Sequence, residues 1–329
     1  GADTDTLKAN STAVTSIDFT GVTATNVEVV DLSGGAVAGV TLTIDAADAA
    51  DVTTVIGTVG ADNDSIIINT GANLDARGKT LTNIDNITLG DNVELTIDST
   101  TVDTNLTIHT ITGGAGTEKV IVTSGNQDFE EVVFSLVENI DLTEASTAQA
   151  IVVDSATNFG SAAITGTQTS SANDDNITST SDMNLNGVVL TNMESVVLDS
   201  DNFGAGTGSG IVTSLFVDNL TRLNGASVVT GSTTRHTHIT SNDGLFLEGS
   251  SLFVNSTTSE KNSIILDNDT SGATTLTISS TTNVAAGGST VITEIRSVDG
   301  VATGDEIISS NDGMNLSNAE LSGIANVNI

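Results

Sequence analysis

Paired carboxylates are the residues of this 329-residue chain whose type and spacing could do chemistry. They stand at Asp3/Asp5, Asp62/Asp64, Asp174/Asp175, Asp199/Asp201 and Asp267/Asp269. Hard cations collect carboxylate and turn-carbonyl oxygens, roughly six to eight per calcium ion, so these aspartates are the candidate calcium ligands. Their spacing does not match an EF-hand loop, and solvated turn residues that keep the chain soluble are the competing reading. His236 and His238 alternate and could share one strand face. With one other His in the chain, Asp or Asn would have to complete a transition-metal site, and surface residues beside Arg235 are the simpler reading. Carboxylate pairs also serve glycosidases. Here, however, four Arg and four Lys are scattered along the chain and Tyr and Trp, the usual platforms for sugars, are missing, so a polysaccharide-active β-helix enzyme is a minor alternative. No catalytic residue is assigned, and the chain reads as a non-enzyme. Thr-x-Thr pairs (Thr41/Thr43, Thr80/Thr82, Thr275/Thr277) raise ice binding as a minor alternative, but they do not recur at one phase in every module. Nine Asn-x-Ser/Thr sequons are near what this Asn-, Ser- and Thr-rich composition produces by itself.

Composition narrows the field further. Zero Cys excludes disulfides, thiol chemistry and Cys-ligated zinc. A formal charge of −34, from 42 acidic and 8 basic residues, argues against nucleic acid, which is bound through Lys and Arg on phosphates. No segment reaches the roughly 18–20 apolar residues of a membrane span. The opening Gly1-Ala2-Asp3-Thr4-Asp5 has neither an initiator Met nor a basic segment, so the chain reads as processed or as a piece of a longer one. High charge with few aromatics is half of a disorder signature. The other half fails, because 37% of residues are hydrophobic and fall in short alternating runs. Pro is absent altogether, as expected where strands need hydrogen bonds on both edges.

Those alternating runs repeat. A first signature leads a polar pair into an aliphatic strand at Leu7, Ile66, Val120, Ile177, Ile239 and Ile307, at similar intervals along the chain. A second signature follows each copy of the first, as in Asn26-Val-Glu28-Val-Val-Asp-Leu32, Asn83-Ile-Asp85-Asn-Ile-Thr-Leu89, Leu136-Val-Glu138-Asn-Ile-Asp-Leu142 and Asn192-Met-Glu194-Ser-Val-Val-Leu198. A third reads Leu42-Thr-Ile44-Asp45, Leu95-Thr-Ile97-Asp98, Ile151-Val-Val153-Asp154, Leu215-Phe-Val217-Asp218 and Leu276-Thr-Ile278-Ser279. Their constant order defines six modules, approximately 1–59, 60–113, 114–170, 171–232, 233–300 and 301–329, within a single elongated repeat domain 1–329.

Each signature has strand character: a short run with period two, rich in Val, Ile and Thr. Gly, Asn, Asp and Ser clusters between them favour tight turns. Ala46–Ala50 is the best helical candidate, and it is short. Modules of this size without Trp or Tyr could hardly bury enough apolar surface as separate sandwiches. In a solenoid, neighbouring coils supply that burial, with small β-branched residues stacked on copies of themselves and Asn laddering at the corners. The expected fold is therefore all-β, a parallel β-helix or β-solenoid of about six modules, with two coils of about 28 or three of about 19 residues per module.

The first signature resembles the RTX nonapeptide, most closely at Gly113-Gly-Ala-Gly116-Thr-Glu118-Lys-Val120. Gly60-Ala-Asp62-Asn-Asp64-Ser-Ile66 and Gly1-Ala-Asp3-Thr-Asp5-Thr-Leu7 are looser copies. The second signature looks like repeats flanking RTX motifs in bacterial surface-layer proteins and giant adhesins. The resemblance implies an extracellular or cell-surface, non-enzymatic structural protein stabilised by calcium. The motifs here are isolated, one per module, whereas RTX calcium sites stack consecutive copies. Terminal coils of a solenoid expose unpaired backbone that templates further pairing. The expected partner is thus the chain itself, through its terminal coils, in a surface layer, filament or fibre. A spacer segment of a large adhesin is the alternative, and cell-surface polysaccharide a further possible partner. Nucleic acid and membrane insertion are not expected.

Overall fold

The structure, a computed structural model, describes residues 4–22, 25–36, 38–60, 63–98, 108–124, 126–144, 148–167, 175–179, 181–198, 212–230, 236–241, 245–247, 250, 252, 262–266, 275–277, 282, 293–297, 307–309, 316, 319–322, 324 and 326–328. It is an all-β parallel solenoid in which every strand pairing described is parallel. Contacts group the chain into two compact units, Gly1–Gln149 with Asn158–Ala162, and Ala150–Thr157 with Ala163–Ile329.

In the first unit, sheet A stacks Thr6–Lys8, Val29–Asp31, Thr54–Ile56 and Thr80–Thr82. Sheet B stacks Ser16–Asp18, Thr41–Ile44, Ser65–Ile68, Asn86–Leu89, Thr110–Thr112 and Val133–Ser135. Sheet C stacks Leu74–Asp75, Glu94–Ile97, Lys119–Val122 and Asn139–Asp141. The second unit pairs Ala163–Thr165 with Val189–Thr191 and builds sheet D from Ala150–Val153, Asn176–Ser179, Ser195–Leu198 and Ser227–Thr230. Its sheet E runs through Met183–Asn184, Val212–Phe216, His236–Ser241, Asn262–Leu266, Thr293–Ser297 and Ala319–Ser322. Sheet F holds Leu245–Phe246, Thr275–Thr277, Ile307–Ser309 and Asn326–Asn328.

The register decides which signature stacks on which. The third signature of one module lies under the first signature of the next, which lies under that module's second. Leu42 meets Ile66, and Ile66 meets Ile87. The same order recurs as Leu95–Val120–Ile140, Ile151–Ile177–Val196, Leu215–Ile239–Ile264 and Leu276–Ile308–Val327. One file of sheet B passes through Ser16, Thr41, Ser65, Asn86, Thr110 and Val133 at a nearly even step. Elsewhere the step is uneven: it is short from Asn176 to Ser195 and long from Ser195 to Ser227. A module therefore holds neither two nor three whole coils, and equivalent strands of successive modules fall on successive sheets. In the sixth module Ile308 is fully buried and registers on Leu276 and Val327, one residue past the aliphatic that the signature marks; a one-residue slip exchanges the two faces of a strand.

Inward files are aliphatic and closed to water: Leu42, Ile66, Ile87, Leu95, Val120 and Ile140 are at most 1% exposed. Burying each such side chain stabilises the fold by about 1.5–3 kcal/mol relative to leaving it in water. Three of the eight Phe gather in the first unit. Phe134 meets Phe129 edge-on at 5.1 Å and stacks on Phe159 at 5.6 Å. They fill the interior beside the last strand of sheet B, where Asn158 bridges Val133. The short helix forms at Ala46–Asp51, where Ala dominates and no aliphatic alternation competes. It packs against Leu74–Asp75, the first strand of sheet C, and so covers an edge that would otherwise be open.

Candidate functional site: acidic corners and open edges

In three modules the acid two residues before the first-signature aliphatic is fully buried: Asp64, Glu118 and Asp175. Asp64 Oδ1 accepts the Val40 N–H at 2.6 Å and its Oδ2 the Thr58 N–H at 2.5 Å. Glu118 occupies the same corner in sheet C, with Oε1 accepting from Asn92 N at 2.8 Å and Gly116 N at 3.2 Å. In sheet D, Asp175 Oδ2 accepts from Thr167 N at 2.6 Å and Thr167 Oγ1 at 2.8 Å. Asp64 and Glu118 thus each tie together two backbone N–H groups, and Asp175 holds the N–H and hydroxyl of Thr167.

A second acid, from the second signature, sits on the next rung and completes a reciprocal staple. Asp64 N donates to Asp85 Oδ2 at 2.9 Å while Asp85 N donates to Asp64 O at 2.9 Å. Glu118 N donates to Glu138 Oε2 at 2.7 Å and Glu138 N returns to Glu118 O at 3.2 Å. At the exposed start of sheet A, Asp5 N donates to Glu28 Oε2 at 2.8 Å and Glu28 N to Asp5 O at 3.2 Å. Sheet E carries the neutral pair Thr237 and Asn262 at these positions, both buried. The corner is tight because Gly57, Gly113 and Gly166 lie against the carbonyls of Asn83, Leu136 and Asn192, and a methyl on any of these glycines would overlap the oxygen. Asn83, Leu136 and Asn192 all adopt left-handed φ, 54°, 56° and 54°.

Acids at strand ends do a different job. Asp31 Oδ1 accepts from Ser33 N and Oγ, and Asp141 Oδ1 from Thr143 N and Oγ1, closing Asx turns. Asp154 and Asp218 do the same with Thr157 and Thr221. Burial pushes the Asp31, Asp141 and Asp218 carboxyls up, but turn hydrogen bonds, with Lys8 beside Asp31 and Lys119 beside Asp141, outweigh it and hold all three below the ordinary 3.8. The folded state therefore binds fewer protons than the unfolded state as pH falls below that value. Their contribution is fully present above the unfolded carboxylate range and is lost as pH falls through the lower folded-state values. Acid titration followed by circular dichroism is expected to show a constant unfolding midpoint from pH 7 to about pH 5 and a decline below about pH 4.

Of the ten candidate calcium ligands, Asp3, Asp62, Asp174, Asp199, Asp201, Asp267 and Asp269 lie outside the described residues. The other three, Asp5, Asp64 and Asp175, stand in the first-signature corners of three different sheets. Glu118, in the closest RTX-like copy, has one buried oxygen, Oε2, without a hydrogen-bond partner. One spare oxygen falls far short of the roughly six to eight a calcium ion takes, so this corner does not fit the ion. Among the described residues no group of three or more His, Cys, Asp or Glu is placed to hold a metal. His236 and His238 lie on one strand, registered on Val212 and Ser214.

Glu28, Asp85, Glu118, Glu138 and Glu194 were not singled out as site residues from sequence, although their fixed place two residues before an inward aliphatic was the available signal. The basic residues described in the first unit are engaged internally. Lys8 pairs with Asp31 at 2.5 Å, Arg77 with Asp75 at 2.6 Å and Lys119 with Asp141 at 3.0 Å, while Lys79 Nζ donates to Val52 O at 2.7 Å.

Open edges are the other distinctive feature. Thr6–Lys8 and Ser16–Asp18 are the outermost strands of sheets A and B, and Ala319–Ser322 and Asn326–Asn328 those of sheets E and F. Leu7, Leu321 and Val327 on these strands are 36%, 44% and 43% exposed. Comparison of the chain with family models, with curated proteins and with solved structures finds no match.

Proposed function

We propose that this chain is a non-enzymatic structural protein of the cell exterior that adds further coils to its outermost strands, supplied by other copies in a surface layer, filament or fibre. One observation carries the reading: the first and last strands described each pair on one side only and expose aliphatic residues there. An exposed strand edge is a template for another strand, and parallel stacking in matched register satisfies it. The corner acids support the same reading, because those that the structure describes serve the backbone rather than a substrate. The same edges would equally accept more coils of a longer polypeptide, which is the adhesin-spacer reading, with cell-surface polysaccharide as a partner of the whole.

Calcium enters through the net charge and through the acid clusters at 199/201 and 267/269, where bound cations would relieve repulsion. Negative-stain microscopy and light scattering of the purified chain test it, each with calcium and with chelator. Ordered polymers or sheets are expected, with chelator lowering both order and melting temperature. A monodisperse particle with no higher species under either condition overturns self-assembly, and superimposable melting curves overturn the calcium part alone.

A further inference from the structure

The third-signature turn of the fourth module, Leu215-Phe-Val217-Asp218, departs from its copies at three positions together. The residue before the signature's last aliphatic is Thr43, Thr96, Val152 or Thr277 in the other modules and Phe216 here. Two residues past the turn acid, Ala47, Thr100, Ala156 and Thr281 are replaced by Leu220; two further on, Ala49, Val102, Asn158 and Asn283 are replaced by Arg222. The turn itself is unchanged, since Asp154 with Thr157 and Asp218 with Thr221 make the same hydrogen bonds. Fold demands therefore do not account for a Phe, a Leu and one of only four Arg at these places.

Phe216 is 38% and Leu220 62% exposed. Arg222 lies with its guanidinium carbon 3.9 Å from the centroid of the Phe246 ring. Its Nη1 donates to Asn219 O at 2.7 Å and Thr221 O at 2.9 Å. Its backbone is fixed by Arg222 N to Val188 O at 3.0 Å and Leu190 N to Arg222 O at 2.8 Å. The Nε and Nη2 donors have no acceptor among the described residues. Nε and Nη2 form the side of the guanidinium fork that takes a carboxylate through two parallel hydrogen bonds. A pre-oriented Arg stacked on an aromatic ring, with exposed Phe and Leu in the same segment, has the composition of an interface hot spot.

We infer that Arg222, on Phe246 and accompanied by Leu220 and Phe216, is a docking site for a carboxylate-bearing surface of a second copy of this chain. Charge complementarity favours that occupant: every copy brings 42 acidic residues, and the apolar side chains suit protein rather than a hydrated acidic glycan. The inference rests on the self-assembly reading and gives it a contact separate from the strand edges.

Because the chain has no Cys, Leu220→Cys places a single thiol at the site for a photo-crosslinker. In the full-length chain, crosslinked dimers are expected, with the adduct mapping by mass spectrometry to an Asp- or Glu-containing segment of the second copy. Adding Arg222→Gln should lower their yield roughly ten-fold, as should high salt. Assembly seen by sedimentation without a dimer adduct, or an adduct indifferent to Arg222→Gln, overturns the site and leaves edge-to-edge assembly standing. A chain that stays monomeric overturns both. Arg222-dependent retention of polygalacturonate by a non-associating chain assigns the patch to a glycan and overturns the second-copy reading.

Discussion

Asp64→Asn is expected to lower the stability of the first unit by about 2–4 kcal/mol at neutral pH. The substitution keeps the shape of the side chain and removes its charge. Asp64 accepts Val40 N through one oxygen and Thr58 N through the other, so an amide can serve one donor while its NH2 group opposes the second. The Asp64 side chain and Val40 are both closed to water, so solvent cannot replace the acceptor lost there. Stacked coils need not unfold in one step, so urea denaturation should be accompanied by hydrogen exchange. Faster exchange is expected first at the Val40 and Thr58 amides. Asp175→Asn should act in the same direction in the second unit, through Thr167. Unchanged exchange at these amides would show that the corner acids are dispensable turn residues and that the coils close without them.

A proline placed on the outer face of a central strand should be more damaging than any conservative change there. Ile67 lies between Thr43 and Thr88 in sheet B, and its side chain points outward from the stacked aliphatics. Ile67→Pro removes a donor from a ladder bonded on both sides, with an expected cost of about 3 kcal/mol or more. Ile67→Thr leaves the ladder intact and should shift the melting curve little. Thermal unfolding by far-UV circular dichroism distinguishes the two variants. Equal melting temperatures would detach the absence of proline from the ladder and leave that feature of the composition without its physical cause.

Much of the architecture was legible in the order of residues. Period-two alternation at Leu42-Thr-Ile44, Ile66 and Leu95-Thr-Ile97 identified strands and their inward side chains, because alternation is a local property of an extended backbone. The lack of helical periodicity left only the segment beginning at Ala46 for a helix, and that is where it forms. The constant order of the three signatures marked the modules. What could not be read was which strand lies on which. That depends on the path length around each coil, short from Asn176 to Ser195 and long from Ser195 to Ser227. It depends also on turns whose geometry comes from left-handed Asn83 and Asn192 and from the close approach at Gly57 and Gly166.

The acids divide along the same line. Sequence determined that Asp64, Glu118 and Asp175 lead into strands and that the chain is strongly anionic, since those are properties of composition and local order. Only the tertiary structure decided that these carboxylates face inward. Their acceptor role depends on N–H groups from outside their own strands, such as that of Val40, which lies on the adjoining coil. A carboxylate that meets water and one that meets a buried N–H are the same letter, and the difference lies in what the neighbouring coil brings within hydrogen-bonding reach.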